Sequence, residues 1–465
     1  MNDDGPGLHG HLVRAALAPL VAAASAAAFP GDSLGSFGVD TAIVALFGVL
    51  LYLIRPELYR SLRDTVFIAV GFAGVAVVAG LIARQPAPPI ELIPVPLPVF
   101  LFAVLFDGRL AAVAAMALAV LVGAQPALAG SEALAFCFVG GVAAALSVRR
   151  IRSRGQAYGF VLTVSAIYAA AAAVSGLLSR ESLGAIATSA GLGAANALGS
   201  AALAMLLLPA AETFTRATTD LRLLELSDPH RPLLRRLAAE APGTWAHSLA
   251  LASLCEAACN AIGANGLLAR VGCYYHDIGK LAHPGYFLEN QPRGSRNPHD
   301  DLAPAQSAAL IRAHVEDGVA LGREHRLPAQ VLAFIPEHHG TAEMTYFAER
   351  ARDQDPDAPL PDDVFRYPGP PPRSAETAVA MLADGVEAAL RVLDEPAPET
   401  IDRAIAHLVH QRLDTGQLTE APLTLRQIET VRRTFARHVT GMHHNRIAYP
   451  EDAGGISADW DAEGR

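Results

Sequence analysis

The chain has 465 residues and contains a single lysine. All its other 35 basic residues are arginine, so a compact ammonium, as distinct from a planar guanidinium fork, is available only at Lys280. Charge of either sign is scarce in the first 210 residues, which hold 11 Arg and 10 Asp or Glu. One charge per ten residues is too few to solvate a globular surface, which excludes a single soluble enzyme. Cysteine is also rare, and Cys137, Cys255, Cys259 and Cys273 form no C-x-x-C pair. That excludes a disulfide framework and a thiolate zinc site, and it fits a reducing compartment. The first apolar stretch has no clear A-x-A cleavage site and reads as an anchor, not a removed leader. No basic excess exists either: the formal net charge is −10, and residues 211–465 alone carry about −11. A duplex nucleic-acid binder needs a basic face and is excluded.

What the first half has is apolar length. Charge-free runs near the 20 residues needed to cross a bilayer are Thr65–Ala83, Leu110–Ser131, Gly155–Ser179 and Ser182–Ala211. Shorter ones are Ala15–Gly31, Thr41–Ile54, Leu92–Phe106 and Ala133–Val148, which makes eight candidate crossings. Counted from a cytoplasmic N-terminus, the inner loops would hold Arg55, Arg60, Arg63, Arg109, Arg149, Arg150, Arg152 and Arg154. The outer loops would hold only Arg84 and Arg180. Eight against two obeys the positive-inside rule and places the second half in the cytoplasm. No row of buried charges and no paired interrupted helices mark a pump or carrier. The small-residue run Gly191–Ser200 would let helices approach closely, which suits an anchor, an oligomerisation device or a sensor.

The second half is patterned as helices with sharp punctuation, and β-branched alternation is scarce. Thr244 is expected to cap a helix over about 245–262, closed by Gly263, and Asn265 to cap another that runs toward Gly279. Pro304, Pro328 and Pro398 each suit a first helical turn, while Ser374 and Thr424 suit two further caps. Residues 351–373 hold seven prolines and five aspartates and read as an irregular loop. The fold class is therefore all-α: a polytopic transmembrane helical domain over 1–211, a connector over 212–232, and a helical bundle over 233–447. An acidic tail over 448–465 reads as disordered.

Fourteen of the sixteen histidines follow residue 229. The informative set is His247, His276-Asp277, His314, His338-His339 and Asp384, seven groups of the kind that bind borderline divalent metals. Seven exceed the needs of one ion and suit two ions a few Å apart with one carboxylate bridging. On a helix the members of an adjacent pair such as His276-Asp277 would point about 100° apart, so that each could serve a different ion. Coming from separate helices, such groups make a site inside a bundle.

His276-Asp277-Ile278-Gly279-Lys280 matches the HDIGK motif of the HD-domain metal-dependent phosphohydrolases. Longer stretches resemble the receptor-type cyclic di-AMP phosphodiesterases of the PgpH kind. They are PGTWAHSLALASLCEAACNAIGANGLLARVGCYYHDIGK (242–280), FLENQ (287–291), NPHD (297–300), EHHGT (337–341), FRYPGP (365–370) and MLADGVEAALR (381–391). The resemblance runs from about residue 41 to 445 and is strongest after 212. It implies a membrane-anchored enzyme, multi-pass in the inner (cytoplasmic) membrane, that opens cyclic di-AMP to linear pApA with a two-metal-activated hydroxide. It implies that His247, His276, Asp277 and Asp384 hold one ion, and that Asp277, His314, His338 and His339 hold the other, with Fe or Mn as the metals. Lys280 is the expected phosphate contact, with Arg366, Arg391 and Tyr367 as further substrate contacts. A cyclic dinucleotide and the lipid bilayer are the expected partners, a homodimer is left open, and duplex nucleic acid is not a partner. A phosphohydrolase for another cyclic dinucleotide or nucleotide, or a silent nucleotide-binding receptor, are the alternative readings. In one respect the chain departs from the family. The large extracellular domain that separates its first two membrane helices is reduced here to about Asp32–Asp40. The residues after the paired histidines, HHGTAEMTYF (338–347), lack the glycine-tyrosine-proline signature of the cyclic di-GMP relatives.

Overall fold

A computed structural model of the chain describes residues 14–29, 33–148, 154–292, 294–356, 361, 363–391 and 397–444. The expected acidic tail lies outside them. Among the described residues every regular element is a helix, and the only strand-like pairing is an isolated bridge between Glu343 and Arg366. The chain divides into two compact units, residues 1–225 and 226–465.

The first unit contains α1 (Leu17–Ala28), α2 (Ser33–Ile54), α3 (Leu62–Ala83), α4 (Pro96–Leu105), α5 (Gly108–Gly123), α6 (Ala133–Ser147), α7 (Arg154–Leu178) and α8 (Leu183–Thr215). Four of these, within α2, α3, α7 and α8, are long and apolar enough to cross a membrane, and the other four span 10–17 residues. Apolar residues cover these helices on all sides, as expected where the surroundings are not water. Phe72, Phe100, Leu118 and Phe160 form part of the shared core. Small residues let α7 and α8 close together: a Cβ on Gly193 would sit 2.5 Å from the Cβ of Tyr168. The charge-free criterion misjudged several ends. α2 begins at Ser33 and runs through Asp40, whose buried carboxylate accepts a hydrogen bond from Gln125. The run from Leu110 to Ser131 is not one helix, because α5 stops at Gly123 and a short 3-10 turn follows at Pro126–Leu128. α8 continues through Pro209 to Thr215, into the stretch read as connector.

The second unit is built from α9 (Pro232–Glu240), α10 (Pro242–Ala261), α11 (Gly266–Tyr275), α12 (Pro304–Glu324), α13 (Ala375–Arg391), α14 (Pro398–Asp414) and α15 (Leu425–His444). α10 starts one turn earlier than a Thr244 cap would allow. Pro242 occupies its first turn, where the missing N–H costs nothing. Gly263 ends α10 at φ +77°, and the Asn265 side chain caps α11 by accepting from the Leu268 amide. Ser374 and Thr424 cap α13 and α15, accepting from Thr377 and Gln427. The irregular stretch begins later than expected, since a helix over Thr345–Gln354 extends into it. Cys255, Cys259 and Cys273 are buried among apolar neighbours as free thiols. α10 and α13 pack on α11 and on each other.

Candidate metal centre

The local fold delivers the histidines from separate elements. His247 lies in the second turn of α10 and His314 in the middle of α12. His276 closes α11, and Asp277 has left the helix at φ −110°, ψ 15°. The pair is therefore set apart by a break in the backbone and not by helical rotation. His338 ends a one-turn helix, Phe334–Glu337, and Asp384 sits in α13. Gly279 makes this assembly possible: a Cβ there would lie 1.8 Å from the His314 carbonyl oxygen, so only glycine lets the turn after Asp277 press against α12.

Asp277 is the centre of the arrangement and is 1% exposed. Its Oδ2 lies 3.2 Å from His276 Nε2 and 3.7 Å from His247 Nε2. Its Oδ1 lies 3.5 Å from His314 Nε2 and 3.6 Å from His338 Nε2. The two oxygens of one carboxylate thus face two different pairs of imidazoles. Ligand atoms of His247, His276 and Asp277 gather within 4.8 Å of one another, as do those of His314, His338 and His339. Asp384 spans the groups as well, with Oδ1 3.3 Å from His247 Nε2 and Oδ2 3.5 Å from His339 Nδ1.

Hydrogen bonding fixes the tautomers. The Nδ1 atoms of His276, His314 and His338 donate to the carbonyls of Cys273, Ile311 and Ile335, one turn back in each case. Their Nε2 atoms are left as lone-pair donors that point inward. His314 Nε2, His338 Nε2 and Asp277 Oδ1 are buried without any hydrogen-bond partner. Three converging buried acceptors that share no proton are costly unless a cation takes their lone pairs. The donor set, imidazole nitrogen with carboxylate oxygen, fits a divalent transition metal.

Electrostatics agree with that fit. Burial lowers the His338 imidazole to about 3, with the nearby His276 ring adding to the effect. Burial likewise holds His314 and His339 below the ordinary range, so these rings are neutral and their lone pairs are available to a metal. Burial works to raise Asp277, but the His276 ring and the Lys280 ammonium outweigh it and keep the carboxylate ionised. His247 is the exception. Burial works to lower it, yet Asp384 and Glu387 raise it to about 10, so a metal ion bound there would have to displace a proton.

Two carboxylates that the motifs did not single out complete the centre. Glu387 lies one turn after Asp384 on α13, with Oε2 3.2 Å from His247 Nδ1, the position of a carboxylate that orients a ligating histidine. Its spacing of three from Asp384 was the available signal. Glu289, in the FLENQ stretch, lies 2.7 Å from the Lys280 ammonium, which is also 2.7 Å from Asp277 Oδ2 and 5.0 Å from the Phe287 ring centre. Glu289 carried no spacing signal, because a short irregular segment delivers it to the site.

Of the expected substrate contacts, Lys280 and Tyr367 line a cleft of about 190 Å³ together with His247, His314, His339 and Asp384. Tyr367 stacks on His339, ring centres 4.0 Å apart and planes at 25°. Arg366 is exposed and donates to the Thr341 carbonyl at 3.4 Å, away from the cleft lining. The Arg391 side chain lies outside the described residues.

The family model described as "7TM receptor with intracellular HD hydrolase" matches residues 32–219, and the HD domain model matches residues 244–389. The cyclic-di-AMP phosphodiesterase PgpH of Bacillus subtilis is 42% identical over 260 residues, 56% of this chain and 36% of that protein. The protein of the same name from Listeria monocytogenes is 42% identical over 245 residues, 53% of this chain and 34% of that protein. The crystal structure of the L. monocytogenes PgpH HD domain in complex with cyclic-di-AMP aligns with 40% identity and a TM-score of 0.45. It covers 46% of this chain and all of that one. The chain spans about a third of the length of the curated relatives it matches.

Proposed function

We propose that the chain, matched by the 7TM-receptor model over residues 32–219 and by the HD domain model over 244–389, is a membrane-anchored phosphodiesterase that opens cyclic di-AMP to linear pApA. The observation that carries the reading is the position of Asp277, with each carboxylate oxygen turned toward a separate pair of histidines. His247, His276, Asp277 and Asp384 would hold one divalent ion, and Asp277, His314, His338 and His339 the other, with Fe or Mn as the metals. Such ions, when bound, supply an activated water for in-line attack and neutralise the charge that develops on the phosphoryl oxygens.

The chain's own groups do the rest. Asp277 and Asp384 stay ionised because charge and hydrogen bonding outweigh burial. Glu387, 3.2 Å from His247 Nδ1, would orient that ring. Lys280 stands at the cleft wall with its ammonium held by two carboxylates, within reach of a phosphate oxygen. Tyr367 braces His339 from the opposite side. A cleft of about 190 Å³ is smaller than the roughly 300–1,000 Å³ that encloses a whole ligand, so it would take the scissile phosphate while the nucleosides rest outside. The arginine distribution supports a cytoplasmic catalytic unit, where a soluble second messenger is met.

The test is hydrolysis by the purified full chain in detergent, supplied with Mn or Fe, of a panel of cyclic dinucleotides. Linear pApA from cyclic di-AMP is expected. A metal-loaded protein that leaves cyclic di-AMP intact would overturn the proposal, and turnover of another member of the panel would name the alternative substrate.

A further inference from the structure

Three side chains in the membrane unit meet away from the histidine centre. Ser25 lies in the last turn of α1, Asp40 near the start of α2, and Gln125 just beyond the end of α5. They are 0%, 0% and 1% exposed. The Gln125 amide donates both to Asp40 Oδ1 at 2.8 Å and to the Leu121 carbonyl at 2.9 Å, which fixes its orientation. Its Oε1 then has no donor, and Asp40 Oδ2 has none either. The Ser25 hydroxyl lies within hydrogen-bonding reach of the Asp40 carboxylate but without the alignment of a formed bond. Among the described residues no cationic side chain pairs with Asp40.

A buried carboxylate in an apolar helical unit must be neutralised. A proton on Oδ2 could be shared with Ser25, but it leaves the Gln125 oxygen without a donor. A desolvated cation between Asp40 and Gln125 can take a lone pair from each of the two orphaned oxygens, with the Ser25 hydroxyl oxygen beside Asp40 as a further ligand. Only one of the three carries charge, which matches a single positive charge, whereas calcium sites draw on several carboxylates. An all-oxygen set of this kind favours a hard ion over a thiophilic or imidazole-seeking metal. We propose that Ser25, Asp40 and Gln125 form a binding site for a monovalent cation of sodium size that ties α1 and α2 to the end of α5.

The experiment follows thermal unfolding of the full chain in lipid nanodiscs while sodium chloride replaces choline chloride at constant ionic strength. Wild-type protein should gain about 3–6 °C at saturating sodium. Asp40→Asn should abolish the gain, and Ser25→Ala should raise the half-saturating sodium concentration about tenfold, the loss of roughly one ligand contact. Identical midpoints in sodium and choline for the wild type would overturn the site and leave a buried water or a protonated carboxylate in its place. A sodium response that persists in Asp40→Asn would overturn it too. If Asp40→Asn does not fold, an unshifted response in Ser25→Ala is the overturning result.

Discussion

Lys280 and Glu289 face each other across a nine-residue gap in the chain, with the ammonium 2.7 Å from Glu289 Oε1 and equally close to Asp277 Oδ2. The one lysine of the chain is thus the cation shared between a carboxylate of the candidate metal centre and one in the short 3-10 turn Leu288–Asn290. A planar guanidinium cannot occupy this point without displacing one partner.

Turnover should reflect that placement. Lys280→Ala is expected to lower it by about 30- to 1000-fold, or roughly 2–4 kcal/mol, as for one charge-assisted contact realised in the transition state. Bound metal, measured by elemental analysis of the same preparations, should be unchanged. Lys280→Arg should rescue only part of the loss. Full activity in both variants would remove Lys280 from the mechanism.

Metal content should follow Asp277. Its two oxygens serve separate histidine pairs, so Asp277→Ala is expected to lose both ions or nearly both. Asp384→Ala should deplete mainly the ion held by His247. Elemental analysis of the active wild type showing one ion or none per chain would end the binuclear reading.

Glu387 is expected to act through His247 and not on substrate. Glu387→Gln keeps the shape but weakens the orienting contact, and should reduce affinity for one ion by about 10- to 100-fold. Metal titration followed by calorimetry reads this directly, and wild-type affinity in the variant would show that the 3.2 Å contact orients nothing.

Gly279→Ala tests the backbone approach. A methyl group 1.8 Å from the His314 carbonyl must push α12 away, costing roughly 1–3 kcal/mol or more. The thermal midpoint should fall by several degrees, and the second ion should be lost with it because His314 moves. A midpoint equal to wild type would show that the turn has room the structure does not reveal.

Topology has its own measurement. Eight crossings would put residues 86–89 outside and 149–154 inside. Reporter fusions after Pro88 and Ser153 should give opposite signals, and the same signal from both would refute the count.

Much of this protein is set by local sequence. The all-α class follows from apolar runs, proline starts and polar caps, which act over a few residues, and Asn265, Ser374 and Thr424 cap where their side chains dictate. The seven histidine and aspartate positions that gather in the candidate centre could be picked out because residues able to bind metals are few in kind and HDIGK is a short contiguous motif. Tertiary structure decided the rest. Charge counting ended a segment at Asp40, yet α2 runs through it, because a partner 85 residues away accommodates the carboxylate. Asp277 faces two histidine pairs because the backbone breaks after His276, which helical periodicity could not supply. Asp384 reaches both His247 and His339, Glu289 meets Lys280, and Arg366 points away, all through packing between segments remote in sequence. Residue types state which chemistry is available, but distances between groups on different helices exist only once the chain has packed, because side-chain contacts fall off within a few Å.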